Sequence, residues 1–146
     1  MKKTKIFTLV IALLTVNALL AQKKQKDKVL NNKIYVVEFT ETTAKKPKPV
    51  EDEISFKVEK LSSKFINLEK KLPPGPYLVE VDSSASPKAI HFTSESKSQD
   101  GEVVKWEGTI VEEAIEGTAV ITNKKGKTTA EYSFIGNIKP KPGKKQ

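Results

Sequence analysis

The chain has no cysteine and no arginine, and among its 146 residues it holds a single histidine and a single tryptophan. Without cysteine there is no disulfide, no thiolate metal site, no cysteine nucleophile and no lipobox for acylation. One histidine removes the His-rich metal sites and most paired acid-base schemes. The missing arginine bears on partners. All 26 basic residues are lysines, and lysine is a hydrated point charge rather than the planar, two-pronged donor that reads base edges and clamps phosphates. A net charge of +8 therefore does not indicate sequence-specific nucleic-acid binding. A long hydrophobic run is lacking too. Residues 6–21 are interrupted by Thr8, Thr15 and Asn17 and fall short of the ~20 apolar residues a spanning helix needs.

That first segment reads instead as an address. Met1-Lys2-Lys3-Thr4-Lys5 is basic, residues 6–14 are apolar, and Ala21 is a small residue ahead of Gln22. These are the three parts of a secretory signal peptide. The sequence predicts removal of residues 1–21 and export to the periplasm or the cell exterior. Cleavage takes away three lysines and no acid, so +8 becomes +5. The remaining excess sits in two tails, 22–30 and 139–146, and leaves a nearly neutral body over 31–138. A body of that length can bury its own core without a disulfide or metal staple.

Within the body the dominant hydrophobic period is two, and no stretch shows the i, i+3, i+4, i+7 spacing of an amphipathic helix. Strands are expected at 33–40, 53–60, 62–69, 76–82, 88–96, 102–111, 114–122 and 127–138. Turn clusters separate them, among them Pro73-Pro74-Gly75-Pro76 and Asn123-Lys124-Lys125-Gly126, and no proline falls in a strand interior. Residues 58–72 are the most helix-like, but Ser62-Ser63 and the prolines that follow favour a hairpin arm. Alternation points Ile54, Phe56, Val58, Tyr77, Val79, Val81, Ile90, Phe92, Val104, Trp106, Ile110, Ile115, Ala119, Ile121, Ala130, Tyr132, Phe134 and Ile138 inward. Lys57, Glu80, His91, Lys105, Glu107, Glu116 and Glu131 then point outward. One buried and one wet face on closely connected strands make an antiparallel meander. The fold expected is all-β: an eight-stranded antiparallel up-and-down barrel, which abolishes both edges, with a β-sandwich as the alternative. Mid-strand charges on the outer face argue against an outer-membrane barrel, where a midplane lysine costs ~2–4 kcal/mol.

Three glycines, Gly108, Gly117 and Gly136, fall on inward positions of consecutive strands. If the turns close at 111–114 and 123–126, Gly108 faces Gly117 and Gly117 faces Tyr132. A hole between the sixth and seventh strands, bordered by Trp106 and Tyr132, is then expected. Two readings stay open. The glycines let a small barrel bend under covering aromatics, or they leave volume for an apolar ligand. Candidate lining residues for the second reading are Trp106, Gly108, Gly117, Tyr132, Phe134, Phe92 and Tyr77.

The runs Lys105-Trp106-Glu107-Gly108-Thr109-Ile110, Ile115-Glu116-Gly117-Thr118 and Glu131-Tyr132-Ser133-Phe134-Ile135-Gly136, set within eight strands, resemble the calycin-like proteins. That group includes the lipocalins and fatty-acid-binding proteins, and the chain resembles small secreted bacterial barrels more nearly still. The resemblance implies a barrel with an apolar small molecule or lipid inside. The connection over 41–52 resembles the lid that the family carries at its barrel mouth.

Reactive constellations are sparse. His91 shares an outward face with Glu95, a pairing that could act as a general base, although a lone surface histidine is the commoner case. Glu51-Asp52-Glu53 and Glu112-Glu113 lack the alternating, glycine-centred spacing of a calcium loop and read as solvated turn charges. No cofactor, metal site or catalytic residue is expected. Lys46-Pro47-Lys48-Pro49 and Lys139-Pro140-Lys141-Pro142 repeat one alternation suited to extended polyproline II. With Lys144 and Lys145 they could meet an anionic envelope polymer in a salt-sensitive way. Two functions follow as expectations: a binding module for an apolar small molecule or lipid, or a non-catalytic envelope protein acting through loops and basic tails.

Overall fold

A computed structural model describes residues 28–143. The expected signal segment 1–21, most of the expected N-terminal tail, and Lys144 and Lys145 lie outside the described residues. Eight strands are present: β1 (Lys33–Glu41), β2 (Val50–Lys57), β3 (Lys60–Ser63), β4 (Gly75–Asp82), β5 (Ala89–Lys97), β6 (Val103–Val111), β7 (Ala114–Thr122) and β8 (Thr128–Ile138). Each pairs antiparallel with the next, and β8 pairs with β1 to close the barrel. The all-β, up-and-down barrel is the architecture the alternation predicts, and the sandwich alternative falls away.

Two local departures have clear causes. The expected strand over 62–69 is only β3, followed by a π-helical turn, Phe65–Glu69. Asp52 holds that turn: its Oδ2 accepts hydrogen bonds from Ser63 Oγ at 2.6 Å and from the Phe65 amide at 2.9 Å. Asn67 closes the other side, accepting from the Ser63 amide at 2.9 Å and donating to the Leu72 carbonyl at 2.7 Å. Such charge-assisted and buried bonds satisfy the donors that the broken strand leaves behind. Asp52 is thus a structural anchor in β2 rather than a turn charge. Leu72 and Ile66 are fully buried as a result.

The second departure is Val58. Expected inward, it is 84% exposed, because the β2–β3 hairpin turns at Val58 and Glu59, with φ of 51° and 61°. Two successive positive φ values are the mark of the two-residue turn that matches hairpin twist. Neither residue is the Gly or Asn that ordinarily announces such a turn, so nothing in the sequence flags it. β2 also begins at Val50, which shortens the expected lid to residues 42–49.

The interior is aromatic. All nine aromatic residues among the described residues are core members, each 7% exposed or less. Phe39 is their hub, with its ring 5.5 Å from Phe65, 6.0 Å from Trp106, 6.4 Å from Tyr132 and 5.6 Å from Phe134. A second group links Phe56 to Tyr77 at 4.9 Å and to Phe92 at 5.1 Å. Edge-to-face geometry of this kind adds about 0.5–1.5 kcal/mol per pair beyond area burial. Leu30, just before β1 and placed by the sequence in the tail, is fully buried with this cluster. The buried serines of β5 are satisfied: Ser94 Oγ donates to the Pro76 carbonyl at 2.7 Å and Ser96 Oγ to that of Pro73 at 2.6 Å. These bonds fasten the proline-rich strap before β4 to β5.

Candidate functional site

Gly108 lies opposite Gly117 in the β6–β7 ladder, as the short turn at Glu112 and Glu113 requires. Gly117 faces Phe134, not Tyr132; Tyr132 faces Ala119. The offset has two sources. The β7–β8 loop closes with the Asn123 amide on the Lys127 carbonyl, one residue longer than expected, and the register shifts again between Ile121 and Thr122. A bulge adds one residue on one side of the ladder and carries every later pair with it.

Both glycine positions are filled from elsewhere. A Cβ on Gly108 would lie 2.6 Å from Phe92 Cε1 and 2.9 Å from the Glu116 carbonyl oxygen. On Gly117 it would lie 2.6 Å from Phe134 Cζ and 2.7 Å from the Gly108 Cα. Phe92 and Phe134 are themselves stacked, 6.4 Å apart at 27°. The space bordered by bare backbone is thus occupied by two rings. The seven interior candidates do converge: Trp106, Gly108, Tyr132, Phe134, Phe92 and Tyr77 are buried and Gly117 is half-buried. They converge as packing partners. Phe39 and Phe65, central to the same cluster, escape sequence reasoning. In β1 the run Ile34-Tyr35-Val36-Val37 is apolar on both faces, so alternation does not choose one.

On the outer wall the glycine pair has the opposite effect. A shallow, open depression lies over β6, β7, β8 and β1, floored by Gly108 and Gly117 and rimmed by Glu38, Glu107, Glu116 and Ile135. Ile135 is 62% exposed there. At the β8 end a smaller cleft of about 350 Å3 is lined by Glu41, Glu69, Lys70, Glu102 and Tyr132. The Lys70 ammonium sits 5.3 Å over the Phe65 ring and 5.6 Å over that of Tyr132. A hydrogen bond to Tyr132 holds the Lys70 pKa above the ordinary lysine value.

The remaining candidates separate. His91 Nδ1 is 3.0 Å from Thr109 Oγ1, while Glu95 pairs with Lys105 at 3.9 Å, so the two do not form a catalytic pair. Glu53 pairs with Lys139, and that contact holds the Glu53 pKa below the usual carboxylate value. Lys139 is further tied by its amide to the Ile34 carbonyl at 2.7 Å, so the barrel extends one residue into the expected tail. Lys46 and Lys48 follow the far end of β1, whereas Lys139 and Lys141 lie beside its start. At ~3.3 Å per residue, roughly 25 Å of strand separates the two Lys-Pro segments. Among the described residues no helix is long and apolar enough to cross a membrane, and no group of three His, Cys, Asp or Glu side chains is placed to hold a metal ion. Comparison with family models, curated proteins and solved structures finds no match to this chain.

Proposed function

We propose that the chain is an exported interaction module in which the barrel is a filled scaffold and the outer wall and loops make the contacts. One observation carries this reading: Phe92 and Phe134 occupy the volume beside Gly108 and Gly117 in which an apolar ligand would sit. Binding inside would require both rings to leave their positions against the glycine backbone. The outer patch, by contrast, is open to a partner without rearrangement. Exposed Ile135 supplies apolar area and Glu38, Glu107 and Glu116 supply one sign of charge, a combination suited to a partner surface with a polar rim. The lysine-rich segments at opposite ends of β1 could add salt-sensitive contacts with an anionic envelope polymer.

The test is a photo-crosslinking side chain placed at Ile135 in one variant and at Phe92 in another, each expressed in the native host, with native mass spectrometry of the unmodified protein alongside. A discrete macromolecular adduct from Ile135, lost in Glu116→Lys, and a protein mass without retained small molecule are expected. A retained lipid, or adducts from Phe92 alone, would return the function to the barrel interior.

A further inference from the structure

The closed barrel has one short seam. β4 begins beside β3, with Gly75 opposite Leu61 and Pro76 opposite Lys60. There β3 begins after the turn at Val58 and Glu59, and from Leu78 to Asp82 the β4 ladder continues with β5. Among the described residues no strand lies along the other edge of residues 78–82. Alternate main-chain N–H and C=O groups on such an edge form a template for an added strand.

The side chains around this notch are specific. Val58 sits in the turn that precedes Lys60, and Leu78 follows Pro76 by two residues on the outer face of β4. These are two of the four exposed large hydrophobic residues among the described residues, at 84% and 51%. Beyond Leu78, the same face of β4 carries Glu80 and Asp82, and Glu59 stands in the turn beside Val58. The hydrogen bonds that Asp82 Oδ1 accepts from the Ser84 amide and hydroxyl hold the Asp82 pKa below its usual value, so the edge keeps its charge.

We propose that the free edge of β4, residues 78–82, takes up an extended, lysine-bearing segment of another polypeptide as an added strand. Backbone bonds supply the attachment. Side chains two apart on the incoming strand supply selectivity: an apolar residue opposite Leu78, then lysines opposite Glu80 and Asp82. A second copy of this chain fits poorly, because full overlap of two β4 edges sets Glu80 directly against Glu80, and like charges directly opposite are destabilising. This site lies apart from the outer patch and does not depend on it.

The probe is a synthetic peptide built on Lys-Thr-Lys-Thr-Val, which in antiparallel register sets Val opposite Leu78 and lysines opposite Glu80 and Asp82, with a control N-methylated at alternate residues so that it cannot donate to the edge. Hydrogen exchange of the full chain is followed over residues 78–82. The edge-facing amides should slow by about tenfold with the peptide and stay unchanged with the control. Glu80→Lys should weaken peptide binding by about tenfold while leaving the thermal melt in place. No slowing, equal slowing by the N-methylated control, or unaltered binding by Glu80→Lys would overturn the proposal. So would amides already protected before peptide is added, since the edge would then belong to this chain or, if sedimentation shows a dimer, to a second copy.

Discussion

Gly108 and Gly117 face each other across the β6–β7 ladder, and each is covered from inside by a different phenylalanine, Phe92 over the first and Phe134 over the second. The bare backbone lets the wall and the rings approach more closely than any side chain would allow. Adding bulk should therefore act as overpacking rather than cavity filling. Gly117→Leu should lower the equilibrium unfolding free energy by about 1–3 kcal/mol or more, measured by urea titration. In the parent protein, Trp106 emission should show no saturable response to long-chain fatty acids. A stable Gly117→Leu protein, or saturable quenching in the parent, would mean that the rings yield to a ligand.

Tyr35 presents a different kind of buried contact. Its ring packs edge-on against Phe56 at 6.1 Å, but its hydroxyl is buried without a hydrogen-bond partner. An unpaired buried hydroxyl costs about 1–3 kcal/mol, so Tyr35→Phe should raise stability by about 1 kcal/mol.

Burial also pushes the Tyr35 pKa up to about 12, and this has a pH signature. In the unfolded chain the phenol ionises near its ordinary value of 10, whereas the folded protein keeps its proton. The folded state binds more protons between these values, so stability present below pH 10 falls by up to about 1.4 kcal/mol per pH unit as pH rises toward 12. Comparing the unfolding free energy of parent and Tyr35→Phe at pH 9 and 11 isolates this slope; identical slopes would show that Tyr35 does not titrate in this way.

The β2–β3 turn carries removable strain. Val58 is β-branched at a φ of 51°, and Glu59 follows at 61°, conformations that Asn and Gly adopt with little cost. The double substitution Val58→Asn, Glu59→Gly should stabilise the barrel by about 1–2 kcal/mol, read as a higher melting temperature with unchanged circular dichroism. A lower melting temperature would point to an apolar role for Val58 at the turn.

The C-terminal boundary can be cut at two places. Deleting residues 140–146 should leave the melt almost unchanged, since frayed, lysine-rich ends bury little. Deleting Lys139 as well removes its amide bond to Ile34 and its ion pair with Glu53. The backbone bond is the larger loss, at about 1 kcal/mol. The partly exposed ion pair adds about 0–1 kcal/mol, screened by salt. Because Lys139 lowers the Glu53 pKa, that smaller part is present above the ordinary glutamate range and is lost as pH falls through the folded value. Equal melts for the two truncations would leave Lys139 in the tail.

Much of this architecture is written locally. Strict alternation through β5 to β8 identifies the core face, and proline and glycine clusters mark most turns, because strand period and turn sterics depend only on neighbouring residues. The turn at Val58 and Glu59 is silent, since its residues contradict its geometry and only the pairing of β2 with β3 imposes it. The same holds for residues 65–69, where Asp52, far back along the chain, supplies the hydrogen bonds that turn a strand-like run into a helical turn.

Sequence alone determined the class of the fold, the outward charges and the inward glycines. Tertiary structure decided what those glycines accomplish. A two-residue shift in the β7–β8 ladder, made by a longer loop and a bulge, brings Phe134 rather than Tyr132 over Gly117, and barrel closure brings in Phe39 from β1 as the hub of the rings. Whether a missing side chain becomes a cavity or a close contact depends on which distant residue reaches it, and that is a property of register and closure, not of any short stretch of sequence.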